Sequence, residues 1–181
     1  MIRYAALLRG INVGGYRKVK MNDLCDIFLT AGLKNITTYI QSGNVIFDSP
    51  ETDTSRLKHE IETSLEKTAG FHATVLIRTI PELENIIYEN PFEGRVTDRH
   101  KLYVTFFKVE PSPDKQQELL SYRNDVEEFT VRKRELYSLI DKKTSQKPLF
   151  SNNFIEKHFG MPATTRNWKT VNNILNLATI R

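Results

Sequence analysis

One cysteine, Cys25, is all that this chain of 181 residues carries, so no intrachain disulfide framework can staple it. A lone thiol among the apolar positions of a helix, with no adjacent histidine to activate it, reads as a small half-buried packing residue and not as a nucleophile. Long apolar runs are missing as well. Met1 to Leu8 is interrupted by Arg3 and closed by Arg9, too short for a signal-peptide core, and nowhere is there a run able to span a bilayer. A cytoplasmic protein without a membrane partner is expected. The four histidines, His59, His72, His100 and His158, are scattered with no cysteine partner and no i, i+4 pairing, so no metal site is expected.

What is present is an ordinary globular composition: 39% hydrophobic and 27% charged, which argues against disorder and for one sizeable core or two small repeats. The net charge of +4 is unevenly spread. Residues 142–181 hold seven Lys/Arg against the single Glu156, so this segment carries +6 and the remainder −2. A basic segment attracts polyanions at long range, although a charge run is more often a solvated face.

Function is sought first in the stretch from Leu8 to Lys20. Gly10, Gly14 and Gly15 allow backbone conformations that other residues avoid and let a ligand approach the main chain. Arg9, Arg17, Lys18 and Lys20 add positive charge at the same spot, and Asn12 adds an amide. The pattern lacks the spacing of a Walker A loop and does not fit the dinucleotide fingerprint, so it implies an anion site without naming a cofactor.

The apolar periodicity orders the chain around this loop. Tyr4–Leu8 is a strand. A helix follows, with Asn22 as N-cap and Leu24, Ile27, Phe28 and Ala31 on one face, ended by Gly32. Residues 37–41 and 44–48 form a hairpin through Ser42-Gly43, and a second helix through Leu57, Ile61 and Leu65 stops at Gly70 before a strand at 73–78. The order βαββαβ is the ferredoxin-like arrangement, in which strands one and two run the same way. The loop Arg9–Lys20 and the turn Gln41-Ser42-Gly43-Asn44 therefore emerge at one end of the sheet and should be neighbours.

Thr79-Ile80-Pro81-Glu82 has capping-box spacing and opens a short helix. The pattern then restarts, with a strand at 100–108, a helix opened by Ser112-Pro113, strands at 128–131 and 135–140 turning at Arg132-Lys133-Arg134, and a helix near 153–158. This gives an α+β protein of two ferredoxin-like units in one compact body, residues 1–80 and 81–181, with the second unit read as βαββα. In the last helix, Thr164 and Thr165 provide the cap, Val171, Ile174, Leu175 and Ala178 face the core, and Arg166, Asn167 and Thr170 lie beside the positive helix end.

The runs Tyr4–Gly15, Lys18–Met21, Tyr39–Val45 and Ala163–Trp168 together resemble the bacterial family catalogued as domain of unknown function 1697. The resemblance spans nearly the whole chain and implies two ferredoxin-like units, without an established activity. In that family a glycine-containing loop leads into the penultimate helix; here Asp141–Pro148 contains no glycine.

The leading expectation is a protein that binds a phosphate-bearing small molecule or nucleotide through Arg9, Gly10, Asn12, Gly14, Gly15, Lys18, Lys20, Gln41, Ser42, Asn44, Arg166, Asn167 and Thr170. No residue presents itself as a nucleophile or base, so no enzymatic step is assigned and no cofactor is named. Two alternatives stand beside it: a nucleic-acid binder using the basic C-terminal segment with Arg132-Lys133-Arg134, and a protein-interaction module without a ligand.

Overall fold

The computed structural model describes residues 1–15, 17–143 and 148–180. The chain divides into two compact units, Met1–Glu84 with Asn173–Arg181, and Asn85–Asn172. Residues 144–147 of the glycine-free loop at 141–148 lie outside the described residues.

In the first unit β1 (Ile2–Leu8), β2 (Lys34–Tyr39), β3 (Asn44–Ser49) and β4 (Val75–Thr79) form a sheet in the order β2-β3-β1-β4, antiparallel throughout. Residues Tyr4 to Leu8 of β1 are all buried, so this strand is covered on both faces and hydrogen-bonded on both edges. One face, built from Tyr4, Ala6, Leu8, Val45, Phe47, Val75 and Ile77, packs against α1 (Met21–Thr30) and α2 (Thr54–Ala69). The helices meet it with the periodic residues Leu24, Ile27 and Phe28, and Leu57, Ile61 and Leu65.

Local signals set most helix ends. Asp53 accepts from Ser55 N–H at 2.8 Å to start α2, and Gly70, at φ +73°, ends it. Thr79 and Glu82 form the expected reciprocal cap of α3 (Ile80–Tyr88): Thr79 N–H donates to Glu82 Oε2 at 2.8 Å, and Glu82 N–H donates to Thr79 Oγ1 at 3.3 Å. The expected cap of α1 is corrected. Lys20 occupies the N-cap with no side-chain bond, and Asn22 is already helical. The cause lies upstream, where Asn12 grips both backbone groups of Val19 and delivers the chain to the helix two residues early.

Residues 173–181, the end of α6 (Trp168–Thr179), belong to this first unit. Arg3 joins them to the sheet by donating to Ala178 O at 3.0 Å while pairing with Asp48 at 2.8 and 3.1 Å. Asn35 donates to the same carboxylate at 2.7 Å.

The second unit repeats the plan. Strands β5 (His100–Phe107), β6 (Glu127–Arg132), β7 (Glu135–Asp141) and β8 (Ala163–Asn167) lie in the order β6-β7-β5-β8, again antiparallel, with α4 (Pro113–Leu120) and α5 (Asn152–Phe159) in the matching places. The segment 163–167 is therefore a strand, correcting the expectation that Thr164 and Thr165 cap a helix. Thr165 Oγ1 donates to Asn152 Oδ1 at 3.0 Å, and Asn167 takes the capping role by accepting from Thr170 N–H at 2.8 Å. Strand pairing with β5 outweighs a cap that another residue supplies.

Register makes the repeat visible residue by residue. Tyr4, Leu8, Phe47 and Arg78 correspond to Tyr103, Phe107, Ser138 and Arg166. Leu8 N–H donates to Gly43 O at 2.8 Å, and Phe107 N–H donates to Arg134 O at 2.9 Å. Arg78 and Arg166 are both buried, and each donates a terminal N–H to the carbonyl of the residue before it, at 2.9 Å in both cases.

Two outcomes test these constraints. A Cβ at Gly43, where φ is +75°, would lie 2.7 Å from Ile11 Cδ1 and 2.8 Å from Leu8 Cβ, whereas at Gly15 it would meet nothing within 4 Å. Gly43→Ala should cost about 2–4 kcal/mol in urea unfolding, strain plus overpacking, and Gly15→Ala only about 1–2. The Arg3 guanidinium holds the Asp48 carboxyl below its usual range, so its contribution is full above the ordinary carboxylate pKa and fades as pH falls through the lowered one. Asp48→Asn should destabilise by about 1–3 kcal/mol at neutral pH, with the gap to the parent protein narrowing in acid.

Candidate functional site

β1 delivers the chain into residues 9–20, and the β2–β3 turn arrives beside it as the topology requires. Gly43 makes the contact close, because its missing side chain leaves room for Leu8 and Ile11. Arg9 N–H donates to Thr74 O at 2.9 Å, tying the loop to the approach of β4.

Asn12 organises the rest. At φ +55° it occupies the left-handed region that asparagine tolerates, and its N–H donates to Arg17 O at 3.1 Å. Its carboxamide accepts from Val19 N–H at 2.9 Å and donates to Val19 O at 3.0 Å and Gln41 O at 2.9 Å. One side chain thus fastens the two ends of the loop to each other and to the turn. Asn12 is a scaffold of the site, its amide committed to backbone groups.

Beside this tie lies a cavity of about 470 Å³. Among the described residues it is lined by Asn12, Gly15, Lys18 and Val19 from the loop, Lys20, Met21 and Asn22 at the start of α1, and Gln41 from the turn. Two lysines and no carboxylate among the described lining residues make the cavity electropositive; Asp23, one residue further on, is outside that lining. The α1 N-terminus adds backbone N–H groups that the side chain of the N-cap residue, Lys20, does not cap, at the positive end of the helix dipole.

The candidate residues fall into three groups. Asn12, Gly15, Lys18, Lys20 and Gln41 are brought together on the cavity. Arg9, Gly10, Gly14, Ser42 and Asn44 lie outside that lining. Gly10 and Gly14 shape the loop at φ +70° and +62°, and Asn44 is fully buried, donating to Tyr39 O and Ser42 Oγ at 3.0 Å each to brace the turn. Arg166, Asn167 and Thr170 belong to the second unit. There Arg166 donates to Thr164 Oγ1 at 2.7 Å, and burial pushes its guanidinium down to about 10. A buried Arg166 adds nothing to a basic surface of the C-terminal segment.

Val19, Met21 and Asn22 line the cavity without having been expected there. Their signal was positional: a helix starting two residues earlier turns a supposed cap into a lining residue. Arg78, also unexpected, could have been found by its place, since it precedes the last residue of the strand that feeds α3 as Arg166 does before α6. The second unit has no counterpart of the glycine loop, because residues 108–112 alone separate β5 from α4.

The chain matches the family model described as Protein of unknown function (DUF1697) over residues 1–137. It is also similar to the solved structure of the conserved bacterial protein SP0830 from Streptococcus pneumoniae, at 25% identity and a TM-score of 0.71, over 98% of this chain and 99% of that one. No curated protein matches. Matched over most of its length, the chain belongs to the DUF1697 family of proteins of unknown function.

Proposed function

We propose that the cavity between the β1–α1 loop and the β2–β3 turn binds a small phosphate-bearing molecule. The observation that carries this reading is the lining itself, with Lys18 and Lys20 beside the start of α1, which its N-cap side chain leaves open, and no acidic residue among the described lining residues. Phosphate suits such a place because it accepts from several N–H donors at once and is favoured by the helix dipole. Asn12 and Gly43 hold the walls, while Lys18, Lys20 and the amides of Gly15 and Met21 meet the ligand. No step of chemistry is assigned, since the described lining residues offer no nucleophile and base pair.

Two further expectations belong to this reading. Both units are taken as ferredoxin-like, supported by the repeated βαββαβ order and by the sheet orders β2-β3-β1-β4 and β6-β7-β5-β8. A cytosolic setting is taken from the single half-buried Cys25; among the described residues no helix is long and apolar enough to cross a membrane.

Thermal unfolding against nucleotides, sugar phosphates, inorganic phosphate and short oligonucleotides tests the proposal. Ligand at about a hundred times its Kd adds roughly 2.7 kcal/mol, a rise of about 5–10 °C for a chain of this size. Replacing both lysines, Lys18→Ala with Lys20→Ala, should weaken binding by about ten- to a hundredfold with the unliganded Tm little changed. Asn12→Ala should lower both affinity and Tm, because it removes the tie. A shift with oligonucleotides that collapses steeply with salt, and that the lysine pair does not affect, would move the function to a nucleic-acid surface. No shift with any compound rejects the anion reading.

A further inference from the structure

The helix-covered face of the second sheet departs from that of the first at one end. Where the first unit places Tyr4, Ala6, Phe47 and Ile77, the matching register positions in the second are Tyr103, Thr105, Ser138 and Thr165. Three hydrocarbon side chains are exchanged for hydroxyls. The helix following β7 is also short, since α5 has 8 residues against 16 in α2. Phe150, just before it, packs over this end of the sheet instead. Its ring lies 5.6 Å from Tyr103 and 6.4 Å from Phe129, the two register neighbours of Ser138.

The hydroxyls are unequally satisfied. Thr165 donates its proton to Asn152 Oδ1, so Thr105 must donate in the 2.8 Å bond between the two threonines. Ser138 Oγ is fully buried and has no hydrogen-bond partner among the described residues. A buried hydroxyl without a partner lowers stability, and alanine would fill the place without that penalty. Glu127, on the same face of β6 as Phe129 and also buried, accepts from Leu149 N–H at 2.9 Å and Phe150 N–H at 3.0 Å, with Asn124 Nδ2 at 3.2 Å. Leu149 and Phe150 are thus held by two amide bonds to Glu127 and by the Phe150 ring, which lies against Tyr103 and Phe129 at the margin of the core; the amide bonds and the stacking on Tyr103 are contacts that a ligand can replace in kind.

We propose that Leu149 and Phe150 form a strap over a binding site for a small neutral polyol of sugar-ring shape, with Glu127 and Ser138 as polar anchors and Tyr103 as the stacking platform. Ligand hydroxyls donate to the Glu127 carboxylate in place of the strap amides, and a ligand oxygen accepts from Ser138. The apolar face of the ring takes the position of Phe150 on Tyr103. An ammonium group has no acceptor for the Ser138 proton, and an anion would meet the Glu127 carboxylate, while Arg99 and Arg123, which line the same cavity as Glu127, are engaged with Asp141 and with the Phe129 carbonyl. This site is separate from the anion cavity, and neither depends on the other.

The test uses the full chain with glucose and N-acetylglucosamine as probes, read by saturation-transfer NMR. Phe150→Ala, which opens the strap, should bind one of the two at least about tenfold more tightly than the parent protein, and adding Ser138→Ala should erase the gain. Ser138→Ala alone should leave Tm unchanged or raise it. Amides of Leu149 and Phe150 should exchange with solvent faster than those of β7. Should Phe150→Ala fail to fold, Phe150→Leu keeps the apolar fill without the ring and takes its place. Silence from both sugars with a folded strap variant overturns the proposal, as does binding that survives Ser138→Ala, a Tm lowered by Ser138→Ala, or strap amides as protected as those of β7.

Discussion

The buried central strand is the constraint on which each unit depends. A strand covered on both faces has no water to satisfy its N–H and C=O groups, so it must find a neighbour on each edge. β1 takes β3 and β4, and β5 takes β7 and β8. Once those partners are set, the chain connecting them has few routes left, and α1 with α2, like α4 with α5, is led to one face of its sheet. The same requirement brings the loop leaving the central strand to the turn joining the other two, an arrangement sealed by the bonds Leu8 to Gly43 and Phe107 to Arg134.

From this common frame the units diverge where function would be sought. The first opens its central strand into residues 9–20, long enough to fold a cavity once Asn12 has tied it down. The second crosses the same gap in residues 108–112 and leaves no such room, yet carries hydroxyls in a layer the first fills with hydrocarbon. Repeats that share a backbone are free to differ where one copy already supplies the fold. The pair Arg78 and Arg166 shows the reverse case, a costly buried cation retained at the same register in both copies.

Electrostatics adjusts this frame without generating it. Arg3 and Asp48 join β3 to the returning C-terminal residues of the first unit, and in the second Arg99 and the Lys143 N–H hold the Asp141 carboxyl down to about 2. These pairs sit at strand ends, where an acid is partly shielded but a guanidinium still reaches water. Stability of both units therefore leans toward neutral pH and weakens in acid.

The sequence by itself determined the element order, nearly every helix face and the meeting of the glycine loop with the hairpin. Those follow from periodicity, capping chemistry and strand direction, all of which act over a few residues or through topology. Thr79 with Glu82, and Leu57 with Ile61 and Leu65, are legible because neighbours along one helix decide their roles. Tertiary structure alone decided that 163–167 is a strand, that Asn12 is a scaffold, that Asn22 lines a cavity and that Arg166 is buried. Each of those depends on a partner distant in sequence: β5 for the strand, Gln41 for Asn12, and a fully formed sheet for the arginine. Threonine and asparagine serve strands, caps and turns alike, so only the competing long-range bonds choose among them.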